Sequence, residues 1–497
     1  MSELKTLCRH SSHYLAGRVA VMALGFISFP LFTRLFSVAE YGTINLVLKV
    51  LLMVAVLSKM GIQHSVVRFY GDHEATGGSA LRRYYSTLFF GALLTAGAVT
   101  ILFALAIWGG PGSLIPPPFR YLLLFAAILI FIRGMQSILT GFMRAEGRTK
   151  AYNIVDIANK AGTVAVTLLF LFLWERSVRA FLAGTIVAEL VVLTALTGLA
   201  LWTRPLSFSG YDPALFRLAL AFGLPMIAYE FANMILDSGD RILIQYYLGP
   251  EALGYYSAAY NISAYCVELM MAPINLALAP IYMKLWVTKG KAETQAFLSD
   301  SLDYFLMAAV GFTATVMVTA HDALIMLASR KYQPAEHLLP VLVAGLMLYT
   351  VVMFLYAGLF VQKKTGTMAS LVTAASVFNV LMNILLLPRI GVQGAAYATL
   401  ASYAFLVVIA ARASNRILPL NIQWTALGKY VLASLLAVAA ASCVQFGVAF
   451  ANVVGKGTVS LATYAGLLWI LDPRIRSLVL RVFKPLSEAE VICSNRY

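Results

Sequence analysis

The sequence predicts an all-α, polytopic membrane protein of about fourteen transmembrane helices. Three observations carry this. Apolar segments of about 20 residues, the length a helix needs to cross the hydrocarbon core, follow one another from end to end. Charge is squeezed into the gaps between them: 61% of the 497 residues are hydrophobic and 12% charged, against roughly 25% charged in soluble domains. The Lys and Arg concentrate on alternate gaps. A soluble chain of this length folds as several domains with polar surfaces, and this composition cannot cover them.

Taken in order, the spans are bounded by charge. Span 1 (12–35) follows Lys5 and Arg9 and closes at Arg34. Span 2 (43–69) runs to Arg68, and span 3 (84–109) starts after Arg82 and Arg83. Span 4 (119–143) opens at Arg120; Arg144, Arg148 and Lys150 part it from span 5 (152–174). Arg176 and Arg179 precede span 6 (179–203), which stops at Arg204. Span 7 (216–247) begins at Arg217 and reaches span 8 (254–283) through a turn without Lys or Arg. Lys284, Lys289 and Lys291 lead to span 9 (301–328), and Arg330 and Lys331 to span 10 (338–362). Lys363 and Lys364 come before span 11 (369–388), and Arg389 before span 12 (392–411). Arg412, Arg416 and Lys429 flank the entry to span 13 (428–452), and Lys456 precedes span 14 (458–472). Arg474, Arg476, Arg481, Lys484 and Arg496 close the chain. Several spans exceed 20 residues, which permits tilt or a kink. Gly223-Leu224-Pro225 in span 7, and Pro273 and Pro280 in span 8, mark static kinks or hinges, because proline removes a helix hydrogen bond.

One set of gaps, with the termini, holds 23 of these Lys and Arg and the other set 8. Both termini are therefore expected in the cytoplasm, which an even number of spans satisfies. Arg18 interrupts the first apolar stretch, so the first helix is expected to persist as an anchor rather than a cleaved signal.

The chain also reads as a duplication. The turn Leu35-Phe36-Ser37-Val38-Ala39-Glu40-Tyr41-Gly42 is matched by Tyr247-Leu248-Gly249-Pro250-Glu251-Ala252-Leu253-Gly254, 212 residues later. The stretch 141–149 is matched by 358–366, 217 residues later. Two parallel six-helix repeats fit these offsets. The expected division is residues 1–210 and 211–415 as two six-helix lobes, 416–475 as additional helices 13 and 14, and 476–497 as a cytoplasmic tail.

The net charge of +15 is spread singly or in pairs over short loops. It suits anionic lipid on one face, not nucleic acid. Cys8, Cys266, Cys443 and Cys493 have no metal or redox spacing. No catalytic constellation is visible: Gly455-Lys456-Gly457-Thr458 lacks the spacing of a nucleotide-binding loop. The loops are too short to house an active site, so an enzyme is not expected.

Function then rests on ionisable residues inside the spans. Each costs perhaps 2.5–3.5 kcal/mol at mid-bilayer and should face a cavity or a partner. The cations are Arg18, Lys49, Lys59, Arg133, Lys160 and Arg241; the anions are Asp156, Glu189, Glu230, Asp237, Asp240 and Glu268. Glu230, Asp237 and Arg241 fall within about 40° of one helix face, with Asp240 about 100° from Arg241. At the repeat offset Arg18 stands opposite Glu230. Asp237–Arg241 and Asp156–Lys160 are i,i+4 pairs and read equally well as structural bridges. Snorkelling is the alternative for Lys59 and Arg241. Arg18 and Lys49 have no acidic residue three or four positions away on their own helix, which makes Arg18 the leading candidate for substrate contact. With no nucleotide site, a proton or sodium gradient is the available energy source, and no cofactor is expected. Glu230 and Glu268 lead the candidates for ion coupling, ahead of Asp237 and Asp240. A desolvated carboxylate there is neutral when closed off and charged when hydrated.

The runs Gly223-Leu224-Pro225, Asp240-Arg241, Leu248-Gly249 and Leu253-Gly254-Tyr255-Tyr256-Ser257-Ala258-Ala259-Tyr260, with the 391–399 turn and Glu40-Tyr41-Gly42, resemble the Wzx-type O-antigen and exopolysaccharide flippases. These form the polysaccharide transporter family of the multidrug/oligosaccharidyl-lipid/polysaccharide exporter superfamily. The resemblance implies two six-helix lobes and two further helices around a central cavity. It implies movement of an undecaprenyl-pyrophosphate-linked oligosaccharide from the inner to the outer leaflet of the bacterial inner membrane, with membrane lipids and the polysaccharide polymerase machinery as partners. Arg18, Lys49, Lys59 and Arg241 would then meet the pyrophosphate, Arg through its planar fork and Lys as a point charge. The polyprenyl tail would stay in lipid, through a gap between lobes or along spans 13–14. A peptidoglycan-precursor flippase and a multidrug exporter of the same superfamily are the alternatives, and a polymerase or ligase the one from another class.

Overall fold

The computed structural model describes residues 2–112 and 116–476; the side chains of residues 2–16, Arg18, Pro273, Asn275 and Leu276 lie outside the described residues, as does the tail beyond residue 476. Among the described residues the chain is helical throughout, without strands. Twelve helical stretches are long and apolar enough to cross a membrane. One of them, Pro213–Ala272, spans twice, turning at Gly249, and Val19–Leu35 is a shorter apolar helix. Counted this way there are fourteen spans, and this is a multi-pass membrane protein.

The spans are α1 (Ser2–Leu35), α2 (Val38–Thr76), α3 (Gly78–Gly109), α4 (Pro117–Ala145), α5 (Thr149–Leu173) and α6 (Val178–Thr203). In the second half they are α7 (213–248), α8 (250–288), α9 (Lys291–Leu327), α10 (Leu338–Val361), α11 (Thr365–Ile390) and α12 (Val392–Asn415). The chain ends on α13 (Trp424–Ser442) and α14 (Ala449–Leu471). Two local features shape the site. Helix α2 breaks at Met60 and Gly61, whose φ values are 47° and 72°. The α7–α8 turn is made by Gly249 at φ 82° and ψ −177°, a conformation open to glycine.

The two turns matched in sequence meet in space. A side chain on Gly42 would strike the carbonyl of Pro250 and the backbone of Gly254; one on Gly254 would strike the carbonyl of Val38. Residues 38 and 250 are themselves 212 apart, so the contact is reciprocal, as an axis running along the bundle produces. Nearby, each half caps a helix of the other. Arg34 Nη2 donates to the Met326 carbonyl at the end of α9 (2.7 Å), and Lys331 Nζ donates to the Phe36 carbonyl after α1 (2.6 Å). A cation at a helix C-terminus satisfies orphan carbonyls and opposes the negative end of the dipole. Gly254→Val is expected to cost about 1–3 kcal/mol by overpacking, read as a lower thermal midpoint in detergent. An unchanged midpoint would contradict so close an approach.

The halves touch again at the end that carries the Lys/Arg-rich gaps. There Gly61 and Gly223 meet backbone to backbone, and Ser65 Oγ donates to the Ala219 carbonyl (2.7 Å). Between the two contacts the helices part, and the candidate site lies in that space. Helices α13 and α14 pack on α9: Tyr464 packs on Gly311, and Lys456 pairs with Asp322 at 2.8 Å. Their own apolar cluster includes Ala433, Ala437, Tyr464 and Leu468.

Candidate functional site

Two adjoining cavities occupy the middle of the bundle. One, about 590 Å³, lies between α2, α7, α10 and α12 and is lined by Lys59, Glu230, Asn233, Asp237, Tyr349 and Tyr403, among others. The second, about 530 Å³, lies within the second half, between α7, α8, α10 and α11, and includes Glu268 and five tyrosines. Tyr229, Asp237, Leu346 and Tyr349 line both. Asp237 therefore stands at their junction.

Helices α2 and α7 run past each other with polar groups facing. Lys49 Nζ lies 3.2 Å from Asp237 Oδ2, with side chains 26% and 43% exposed. Asp237 lines both cavities, whereas Lys49, expected on the cavity wall, lines neither and reaches the site through this pair. The second Asp237 oxygen accepts from Tyr260 (2.5 Å), and Ser238 Oγ also donates to the carboxylate (2.5 Å). Two turns nearer the basic end, Glu230 is held by His64 Nε2 (2.8 Å) and Gln63 Nε2 (3.2 Å), both from α2 beyond its break. Towards the other end, Asn261 of α8 donates to Tyr41 Oη (2.9 Å) and Asn45 Oδ1 (3.2 Å) of α2. The seam between the halves is thus a column of polar pairs, each with one member in each half. Such pairs must separate if the halves move apart, and a paired charge left alone in the bundle is costly.

Several placements differ from the sequence expectation. Arg241, expected on the cavity wall, lines neither cavity and is fully buried behind them. Its guanidinium sits 4.3 Å from the Tyr260 ring centre and donates to the Asp237 carbonyl (2.8 Å) and Asp240 Oδ1 (3.3 Å). The i,i+4 neighbour Asp237 instead sends its carboxylate across to Lys49. Asp240 is buried with Arg241, Tyr256 and Thr399 around it. Glu230, Asp237 and Arg241 share a helix face in projection, but only the first two reach open space. Glu230 was matched by repeat offset to Arg18; its partners are on α2, and the Arg18 side chain lies outside the described residues, as does that of Pro273. Glu268 lines the tyrosine-rich cavity.

In the first half, Arg133 holds Glu189 in a two-pronged contact, Nε to Oε2 at 3.0 Å and Nη2 to Oε1 at 2.8 Å. Lys160 lies within electrostatic reach of Arg133, Glu189 and Asp156. This fork couples α4 to α6 and accounts for two of the charges inside the spans.

Sequence reasoning passed over His64 and Gln63, because only Lys, Arg, Asp and Glu were weighed inside spans. Their position one turn past Lys59 on α2 was the available signal. It also passed over the tyrosines, which are apolar by count and come from α7, α8, α10 and α12.

Residues 7–286, more than half of the chain, match the family described as "Polysaccharide biosynthesis protein". The chain belongs to the polysaccharide biosynthesis protein family. Over 312 residues it is 23% identical to the succinoglycan biosynthesis transport protein ExoT of Rhizobium meliloti (strain 1021). That match covers 62% of this chain and 60% of the relative. Among solved structures it is similar to the lipid II flippase MurJ in an inward closed conformation, with a TM-score of 0.76, 14% identity, and coverage of 94% of this chain and 99% of that one. It is also similar to the Vibrio cholerae transporter VcmN, with a TM-score of 0.59 and 13% identity, covering 83% of this chain and 96% of that one. At these identities the likeness is one of fold. This member of the polysaccharide biosynthesis protein family thus shares its fold with these two membrane proteins.

Proposed function

We propose that this protein moves an undecaprenyl-pyrophosphate-linked oligosaccharide from the inner to the outer leaflet of the bacterial inner membrane by alternating access, for O-antigen or exopolysaccharide assembly. The observation that carries this reading is the polar seam: a cavity walled by both halves, with Lys59 on one side and carboxylates on the other, Lys49 of the same helix paired to Asp237, and backbone contacts between the halves at both ends. A diphosphate competing with Asp237 for Lys49 would loosen the seam from within, since a cation pairs more tightly with the group of higher charge. An apolar groove of about 360 Å³ between α9, α10 and α13, lined by residues such as Phe305, Met317 and Leu435, suits the polyprenyl tail. A peptidoglycan-precursor flippase is the second reading, favoured by the higher TM-score to the lipid II flippase than to the drug exporter.

The energy source in this reading is an ion gradient. Glu230 and Glu268, with Asp237 and Asp240 behind them, are its candidate carriers. Glu230 has His64 beside it, so a proton taken up there need not wait for bulk water.

The test is a deletion strain in which lipid-linked sugar is read in each leaflet. Loss of the protein should leave the glycan in the inner leaflet, and collapse of the proton and sodium gradients should do the same. Accumulation of single units in the outer leaflet would instead mark a polymerising role. Orientation is tested in a Cys-free background. Lys363→Cys should be shielded from impermeant reagent in intact cells and Gln333→Cys should react; the reverse pattern would overturn the topology.

A further inference from the structure

We infer that the tyrosine-lined cavity of the second half is the saccharide subsite of the transported lipid, and that the diphosphate sits on the α2–α7 side of Asp237; this rests on the reading of the protein as a lipid-linked glycan flippase. The cavity of about 530 Å³ is walled by Tyr229, Tyr282, Tyr349 and Tyr356, with the carboxylates of Asp237 and Glu268 among them. Its size falls in the range of small-molecule sites, about 300–1,000 Å³. The ring faces of tyrosine offer flat apolar surface, and the C–H face of a pyranose is the flat apolar surface of a sugar. Carboxylates accept hydrogen bonds, and sugar hydroxyls donate them. The wall is also preorganised. Tyr349 Oη donates to Asn233 (3.0 Å), its ring lies 4.9 Å from that of Tyr403, and Tyr260 is tied to Asp237. Rings held this way lose little freedom on binding.

The two halves differ in the side chains that join their spans. The Tyr349–Tyr403 pair joins α10 to α12. In the first half, Arg133 and Glu189 join α4 to α6 by an ion pair. The first half thus carries an ion pair between its fourth and sixth spans, and the second half an aromatic pair between its own fourth and sixth spans. An anionic diphosphate joined to an uncharged polyhydroxylated chain has the same division. The shared lining of the two cavities, at Asp237 and Tyr349, is where the phosphate–sugar linkage would pass. Tyrosine rings with carboxylates are equally the chemistry that binds organic cations, and the experiment separates the two.

The full chain in lipid nanodiscs is titrated with undecaprenyl pyrophosphate and with the same lipid carrying one glucose, galactose or N-acetylglucosamine; tetraphenylphosphonium serves as the organic cation. The readout is the ratio of affinities, glycosylated over bare. We expect a ratio of about tenfold for at least one sugar, since ring stacking tolerates sugar identity. Tyr349→Ala, at a ring 36% exposed to the cavity, should bring it below about twofold. Tyr349→Phe, which keeps the ring and guards against misfolding as the cause, should keep most of the ratio. An unchanged ratio in Tyr349→Ala, a ratio of one for all three sugars, or tyrosine-dependent binding of tetraphenylphosphonium in place of the sugar increment would each overturn the assignment. Absence of binding by bare and glycosylated lipid alike in the unaltered protein would instead overturn the flippase reading on which it rests.

Discussion

Glycan export by Lys49→Ala falls at least tenfold, with the protein still inserted and stable. Lys49 reaches across the seam to Asp237 at 3.2 Å, and Asp237 lines the interior space. A charge-assisted contact contributes about 1.5–3 kcal/mol, which is tenfold to over a hundredfold. Two roles meet in this residue, closing the seam and receiving phosphate, and a pair of further variants separates them. Asp237→Asn removes the closing partner but leaves the cation, so it should export better than Lys49→Ala. The exchange Lys49→Asp with Asp237→Lys restores an ion pair across the seam with the signs reversed. If it restores export, closing the seam was the role of Lys49; if it does not, phosphate contact was. Surface glycan measured per inserted molecule is the assay, and full export by Lys49→Ala would refute both roles.

Arg241→Met acts on stability rather than transport. The guanidinium is wholly buried, beside Asp240 and against the Tyr260 ring. Removing it leaves the carboxylate of Asp240 without its cation in the interior, a loss of about 3–5 kcal/mol for a broken buried pair. That is a large part of the stability of any domain. Arg241→Lys should recover little, because an ammonium has neither the planar face for the ring nor the fork for Asp240 and the Asp237 carbonyl. Arg241→Met combined with Asp240→Asn should recover part of it, since no uncompensated charge is then buried. Thermal midpoints in detergent and the amount of protein in the membrane are the measurements. A single Arg241→Met variant as stable as the unaltered protein would mean that the pair is not structural.

Both variants show where reading along the chain runs out. The spans were legible because insertion into hydrocarbon acts on each segment separately: a run of about 20 apolar residues is a local property. Gly42 and Gly254 were legible as a repeat for a similar reason, as each ends a short turn of the same length. Their mutual contact was implied by parallel repeats but not located. The pairing of charges was not legible. Spacing put Asp237 with Arg241, yet Asp237 turns to Lys49, 188 residues earlier. Helix periodicity predicts which side chains share a face, not which neighbouring helix that face will meet.

By itself, the sequence determined that this is a helical membrane protein of about fourteen spans and which ionisable residues lie inside those spans. These follow from hydropathy, from the insertion cost of each ionisable group and from register along the chain. Only the tertiary structure decided which of those charges line a cavity and which lie behind it. Lys59, Glu230 and Asp237 face open space while Arg241 and Asp240 are sealed among tyrosines, although all of them pay the same insertion cost. It also gathered the tyrosines of α7, α8 and α10 into one wall. The reason is that burial inside a bundle depends on how helices pack around each residue, and packing is a property of several segments at once.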